Sequence, residues 1–243
     1  MDSERSYVQL HAHSSSSFDS RTDPLKMVDR AVELGFTHLA ITDHDRIEGV
    51  LRARDHAGDR IRVIVGQEIT SPDGDLIALF VERVTPPGLR AMDAAAAVHE
   101  QGGLVGLPHP FDGMRASGGS RSGGAPDLLD RLAGVVDYVE VHNARAYRDA
   151  NPRAAAFAEA HGLPGAAVSD AHSLRELGVA GTFLPGDFSS APELLALLPQ
   201  AELVTGRAPY YVRLWTPVAK VINRVQGKGR VRPVARAGED TIP

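Results

Sequence analysis

Cysteine is absent from the 243-residue chain. That absence removes disulfides, zinc ribbons, iron–sulfur clusters and thiol nucleophiles together, so any metal chemistry must use imidazole and carboxylate. No apolar run approaches the roughly 18 residues of a membrane span. The opening MDSERSYVQLHAH has no basic stretch followed by an apolar one, so no secretory signal is read there and a cytoplasmic location is expected. There is no G-x-S-x-G elbow, no Gly-x4-Gly-Lys-Ser/Thr phosphate loop and no Rossmann fingerprint, which sets aside serine hydrolases, nucleotide-driven chemistry and NAD chemistry. What the chain does hold is ten histidines, a hydrophobic content of 43% and a formal net charge of −5. It is long enough for one well-buried domain, and its composition is neither disordered nor fibrous.

Short apolar runs alternate with helical patterns. Strands are expected at Tyr7–Leu10, Thr37–Ile41, Arg62–Val65, Leu76–Val81, Leu104–Leu107, Val136–Val141, Ala166–Val168 and Val179–Leu184. Between several of them lie helices. Thr22-Asp23-Pro24 caps a segment that Gly35 ends, Leu89–Gln101 stops at Gly102-Gly103, and Asn151-Pro152 opens Arg153–His161. This alternation predicts parallel βαβ units, an α/β fold.

Two segments differ from the rest. Residues 112–127 are rich in Gly and Ser and read as a loop carrying Arg115. From Gly206 onward, eight of the 26 basic residues stand against two acidic ones, a surplus of six beside a body at −11. The expected organisation is therefore a domain over 1–205 and a basic tail over 206–243, partly disordered or with a short docked helix. Within Pro217–Gln226, Val218, Val221, Ile222 and Val225 share one side and are the expected docking face. Trp215 and Tyr210-Tyr211 are further candidate anchors.

Six apolar runs each deliver His, Asp or Glu at the C-terminal end: His11-Ala12-His13, Asp43-His44-Asp45, Glu68, His109, Glu140 with His142, and Asp170-Ala171-His172. In a parallel barrel those ends converge on one face, where barrel enzymes place their chemistry. Alternate residues of an extended chain share a side, so His11 and His13 can reach one ion, and so can Asp170 and His172. Imidazole with carboxylate oxygen suits zinc, manganese or iron. Asp43 and Asp45 are expected to orient the His44 ring.

The motifs L-H-A-H-S-S-S-S-F-D (10–19), A-I-T-D-H-D (40–45), G-Q-E-I-T (66–70), P-H-P-F-D (108–112), V-E-V-H-N (139–143) and V-S-D-A-H-S (168–173) together resemble the PHP domain, the polymerase and histidinol phosphatase superfamily of metal-dependent phosphoesterases. The resemblance implies a distorted seven-stranded (β/α) barrel with two or three divalent ions at the strand C-termini. It implies His11, His13, Glu68 and Asp170 around a first ion, Glu68 bridging to a second with His109, and Asp19, His44 and His172 at a remaining site. His142 is an additional candidate ligand. Fuller members carry another histidine after the bridging Glu, where this chain has Ile77.

The function so implied is hydrolysis of a phosphoester of a small phosphometabolite or nucleotide, by hydroxide generated at a di- or trinuclear centre. Arg115 and Arg145 are candidates to grip phosphate, and Asp19 or His44 to protonate the leaving oxygen. The expected partner is a small phosphorylated substrate. The alternatives are a 5′–3′ exonuclease-type phosphodiesterase on short oligonucleotides and a non-catalytic metal-binding accessory domain.

Overall fold

The first helix shows how local chemistry sets the elements. Asp23 accepts a hydrogen bond from the Leu25 amide at 2.9 Å, Pro24 supplies a pre-set φ, and Gly35 takes φ +79° just past the end. The computed structural model describes residues 5–112, 127–147, 149–213 and 215–231. Arg115 lies outside the described residues.

Nine strands form one sheet: β1 (Ser6–Gln9), β2 (His38–Ile41), β3 (Arg62–Ile69), β4 (Leu76–Leu79), β5 (Leu104–Leu107), β6 (Tyr138–Asn143), β7 (Gly165–Val168), β8 (Gly181–Leu184) and β9 (Glu202–Val204). Their spatial order is β7-β6-β5-β4-β3-β2-β1-β8-β9. Helices α1 (Pro24–Glu33), α2 (Glu48–Ala57), α3 (Ala91–His99), α4 (Leu128–Ala133), α5 (Ala150–His161) and α6 (Ala191–Leu197) follow strands, and α7 (Tyr210–Arg213) and α8 (Trp215–Val225) come last. The sheet curls into a nearly closed barrel. Its seam is crossed by a parallel bridge between Ala12 and Ala171 and by the Gln9 side chain, which reaches Ser169 Oγ at 2.8 Å.

The sheet is not parallel throughout. β4 runs antiparallel to both β3 and β5. The six residues between β3 and β4 are too few for the crossover that a parallel neighbour needs, so the chain can only turn back.

Strand periodicity decides what enters the barrel. Val8 and Leu10, Ile64, Ile77 and Leu79, Tyr138, and Ala166 and Val168 form one buried interior cluster. Continuing the same two-residue period places Glu68 above Ile64, Glu140 above Tyr138, and Asp75 below Ile77 in sequence but at the same end of the barrel. A second apolar layer, including Met27, Val28, Val50, Ala94 and Val98, packs helices on the outside.

Helix α8 docks by a different face from the one its apolar pattern indicates. Val218, Val221 and Val225 are exposed, as are Tyr211 and Trp215. Ala219 and Asn223 face the body instead, and Asn223 Nδ2 donates toward the carbonyls of Ser20 at 2.9 Å and Phe18 at 3.1 Å. The carbonyls of Ser17, Phe18 and Ser20 that Asn223 serves are a stronger claim on the helix than a few methyl groups, because a buried carbonyl left without a donor costs the desolvation of that group.

Candidate metal centre

The ends of β1, β2, β3 and β7 bring their ligand-type residues to one place. His44 and Glu68 are paired by a parallel bridge, and the Ala12–Ala171 bridge sets His11 and His13 beside Asp170 and His172. Asp45, His109 and Asp170 hold positive φ of 55°, 29° and 51°. Such backbone costs on the order of 1–3 kcal/mol for a non-glycine residue, and at His109 and Asp170 it accompanies side chains that line the cavity at the barrel mouth.

Four atoms converge on one point. His11 Nε2 and His13 Nε2 are 2.9 Å apart, and each faces Glu68 Oε2, at 3.3 and 3.2 Å. Asp170 Oδ1 completes the set at 3.8 Å from His11 and 3.5 Å from His13. Ligands about 2.1 Å from a tetrahedral ion are separated by roughly 3.4 Å, so this donor set fits one. The other Glu68 oxygen, Oε1, lies 3.5 Å from His109 Nε2. Asp19 Oδ2 is 3.3 Å from His44 Nε2 and 3.2 Å from His172 Nε2. Three ligand groups of suitable spacing result: His11, His13 and Glu68; His13, Asp19 and His172; His44, Glu68 and Asp75.

Burial disfavours charge here, and the cluster answers internally. Burial alone would lower His11, yet Glu140 and Glu68 outweigh it and carry the imidazole up to about 9. Burial likewise opposes the charge of His44, which Glu68 and Asp19 raise to about 9. Glu68 and Asp19 are held well below the usual carboxylate range by these histidines and by His172, against the upward push of burial. His172 itself goes well down, through burial and the nearby Arg145 charge.

Other assignments change. His142 stands outside the cluster: its Nε2 is 2.8 Å from the Gly206 carbonyl and its Nδ1 3.2 Å from Asn151 Nδ2, so both nitrogens are engaged elsewhere. A register shift between Glu140 and His142 turns the histidine away and leaves the glutamate inside. Asp43 and Asp45 do not orient His44. Asp43 accepts from the Ser14 amide and hydroxyl, both at 2.6 Å, and Asp45 from the Thr70 amide at 2.8 Å and hydroxyl at 2.9 Å. They hold the loops on either side of the site.

Three residues enter without having been assigned a role. Glu140, fully buried, contacts His11 Nδ1 at 2.6 Å, and Asn143 Nδ2 donates to both Glu140 and Asp170. Asp75 joins His44 and Glu68, whereas Ile77 packs in the apolar interior cluster. Because β4 is antiparallel, its N-terminal end faces the site, and Asp75 stands just before the strand. Arg145 is buried, lines the same cavity, and lies 2.7 Å from Thr216 Oγ1 and 3.5 Å from Glu176 Oε1. The cavity measures about 410 Å³.

A family model described as the PHP domain matches residues 9–102, and a second, PHP-associated, matches residues 148–202. The chain is 32% identical over 128 residues to uncharacterized protein MJ1587 of Methanocaldococcus jannaschii, covering 52% of this chain and 69% of that protein. The chain belongs to the PHP family. This PHP chain is also 34% identical over 125 residues to the error-prone DNA polymerase of Mycobacterium bovis, covering 46% of itself but only 12% of the polymerase. Among solved structures, a two-domain protein from Bacteroides vulgatus containing a predicted PHP-like metal-dependent phosphoesterase superposes with a TM-score of 0.70 at 20% identity, over 85% of this chain and 67% of that one. At that identity the likeness is one of PHP-type fold. Among the described residues no helix is long and apolar enough to cross a membrane.

Proposed function

We propose that the chain is a metal-dependent phosphoesterase that hydrolyses a small phosphorylated metabolite or nucleotide at a centre of two or three manganese, zinc or iron ions. The observation that carries this reading is Glu68, whose Oε2 faces His11 and His13 while its Oε1 faces His109. One carboxylate serving two donor sets is the arrangement expected of neighbouring ions. Such ions, when bound, supply an acidified water and charge stabilisation for phosphate oxygens. The chain's own residues do the rest. Asp170 and Glu68 fix the first position, Asn143 holds Asp170, and Glu140 sets the His11 ring. Arg145 sits at the cavity wall, a guanidinium suited to phosphate oxygens. Asp19 and His44 face the same space and are the candidate proton donors to the leaving oxygen.

A second reading, 5′–3′ phosphodiesterase action on short oligonucleotides, draws on one observation. A neighbouring cavity of about 700 Å³ is lined by Arg21, Lys26 and Arg175 with Tyr211 and Trp215, a combination of cation and aromatic that suits single strands. A screen of metal-loaded protein against phosphomonoesters, nucleotides and short 5′-phosphorylated oligonucleotides separates the two. His11→Ala is the control. Turnover unchanged in that variant, or none of any phosphoester by the wild type, would overturn the proposal.

A further inference from the structure

The cavity above the ligand cluster is not walled by the barrel alone. Thr216, Lys220 and Arg230 line it too, and all three lie beyond residue 202, where the second matched segment ends. Helix α8 places Thr216 and Lys220 one turn apart on the side toward the cavity, and Asn223 pins that side to the loop carrying Asp19. Phe18 is the plate between them. Its ring centroid is 4.9 Å from the His44 ring, 5.2 Å from Lys220 Nζ and 4.9 Å from Arg230 Cζ. Both cations are exposed, and each rests over the Phe18 ring at the rim of the cavity.

Charge balance indicates what they meet. Asp19, Glu68, Asp75 and Asp170 line the cavity, and two divalent ions would neutralise those four carboxylates. Arg145 already has Glu176 at 3.5 Å. Among the described residues neither Lys220 nor Arg230 forms a salt bridge, although the Arg230 charge acts on Asp75 and Asp45, so a metal-loaded cavity would keep both cations at its mouth.

We infer that Lys220 and Arg230 form the phosphate-binding cap of this site, a two-cation clamp selecting a dianionic phosphate such as that of a monoester. This deepens the phosphoesterase reading and rests on it for the identity of the substrate, but the clamp can be tested without turnover. The probe is inorganic phosphate, titrated by calorimetry into the manganese-loaded full chain. Lys220→Ala and Arg230→Ala are each expected to weaken phosphate binding about tenfold, and the double variant further, with manganese affinity not reduced. Arg224→Ala, one turn further along the same helix and outside the cavity lining, is expected to leave it unchanged. For a hydrolysed monoester, KM rises in the clamp variants more than kcat falls.

If phosphate binds equally well to all variants while manganese binds more tightly, the two cations serve only to neutralise the carboxylates and the inference fails. It fails also if the wild type does not bind phosphate. If the clamp variants lose phosphate but no ester is hydrolysed by any form, the cap stands and the phosphoesterase reading falls.

Discussion

Glu140 Oε1 lies 2.6 Å from His11 Nδ1, and neither side chain reaches solvent. The contact fixes the ring so that Nε2 points at His13 and Glu68, and it places a proton on the far nitrogen when Nε2 binds an ion. Such orienting partners are worth roughly 10–100-fold in metal affinity. Glu140→Gln is therefore expected to weaken the tightest ion by about that factor. Competition with a fluorescent chelator measures it, and an unchanged affinity would remove Glu140 from the centre.

Asp75 has a different role from the residues at strand C-termini. It sits with His44 and Glu68, and burial together with Glu68 pushes its carboxyl up to about 6, while His44 and Arg230 oppose that shift. Asp75→Ala is expected to lower the ion-to-protein ratio found by elemental analysis, leaving the His11–His13 position filled. A ratio equal to wild type would return Asp75 to a purely structural part.

Between pH 6.5 and about 9 the metal-free protein should lose stability as pH rises. His11 and His44 are raised from 6.5 to about 9, so their extra proton binding stabilises the fold fully below pH 6.5 and is lost as pH passes through about 9. Asp43 and Asp75, raised to about 6, titrate below that window. Metal affinity moves the other way, since the same histidines must shed protons to bind. Melting curves at pH 6.5 and 9, with chelator and with a divalent ion, are expected to cross in this sense.

Asn223 carries the docking of α8. Asn223→Ala removes the donor that serves the Ser20 and Phe18 carbonyls and is expected to cost about 1–3 kcal/mol locally. Limited proteolysis between 205 and 215 should accelerate in this variant. Val221→Ser, on the exposed side, should leave it unchanged.

Inside the barrel, a methyl added at Gly106 would overlap the ring of Tyr138, which is fully buried. Gly106→Ala is expected to destabilise by about 1–3 kcal/mol in denaturant titrations, with no change in the ion-to-protein ratio.

The parts of this molecule legible in the sequence are those where a short-range rule meets a short-range pattern. His11-x-His13 and Asp170-x-His172 share sides because extended chain alternates, and Glu68 closes a strand whose apolar residues already mark the inside. The antiparallel course of β4 was not legible, because direction depends on where a strand pairs, and Asp75 was hidden with it. The docking face of α8 differs from the apolar face of its sequence for a related reason. Periodicity ranks methyl groups, whereas the loop carbonyls that claim Asn223 belong to residues some 200 positions away. Asp43 and Asp45 adjoin His44 in sequence, but their partners, Ser14 and Thr70, come from neighbouring loops.

The bridge between Ala12 and Ala171 joins the chain just past β1 to the chain just past β7, with the His13 amide donating to the Ala171 carbonyl at 2.8 Å. Ligand residues flank the bridge on both strands, His11 and His13 on one, Asp170 and His172 on the other. An ion bound by both pairs would therefore act as a clasp across that bridge. Stripping the centre would unfasten the wall there first, and amide protons of residues 11–13 and 170–172 would exchange ahead of those in β2 and β3.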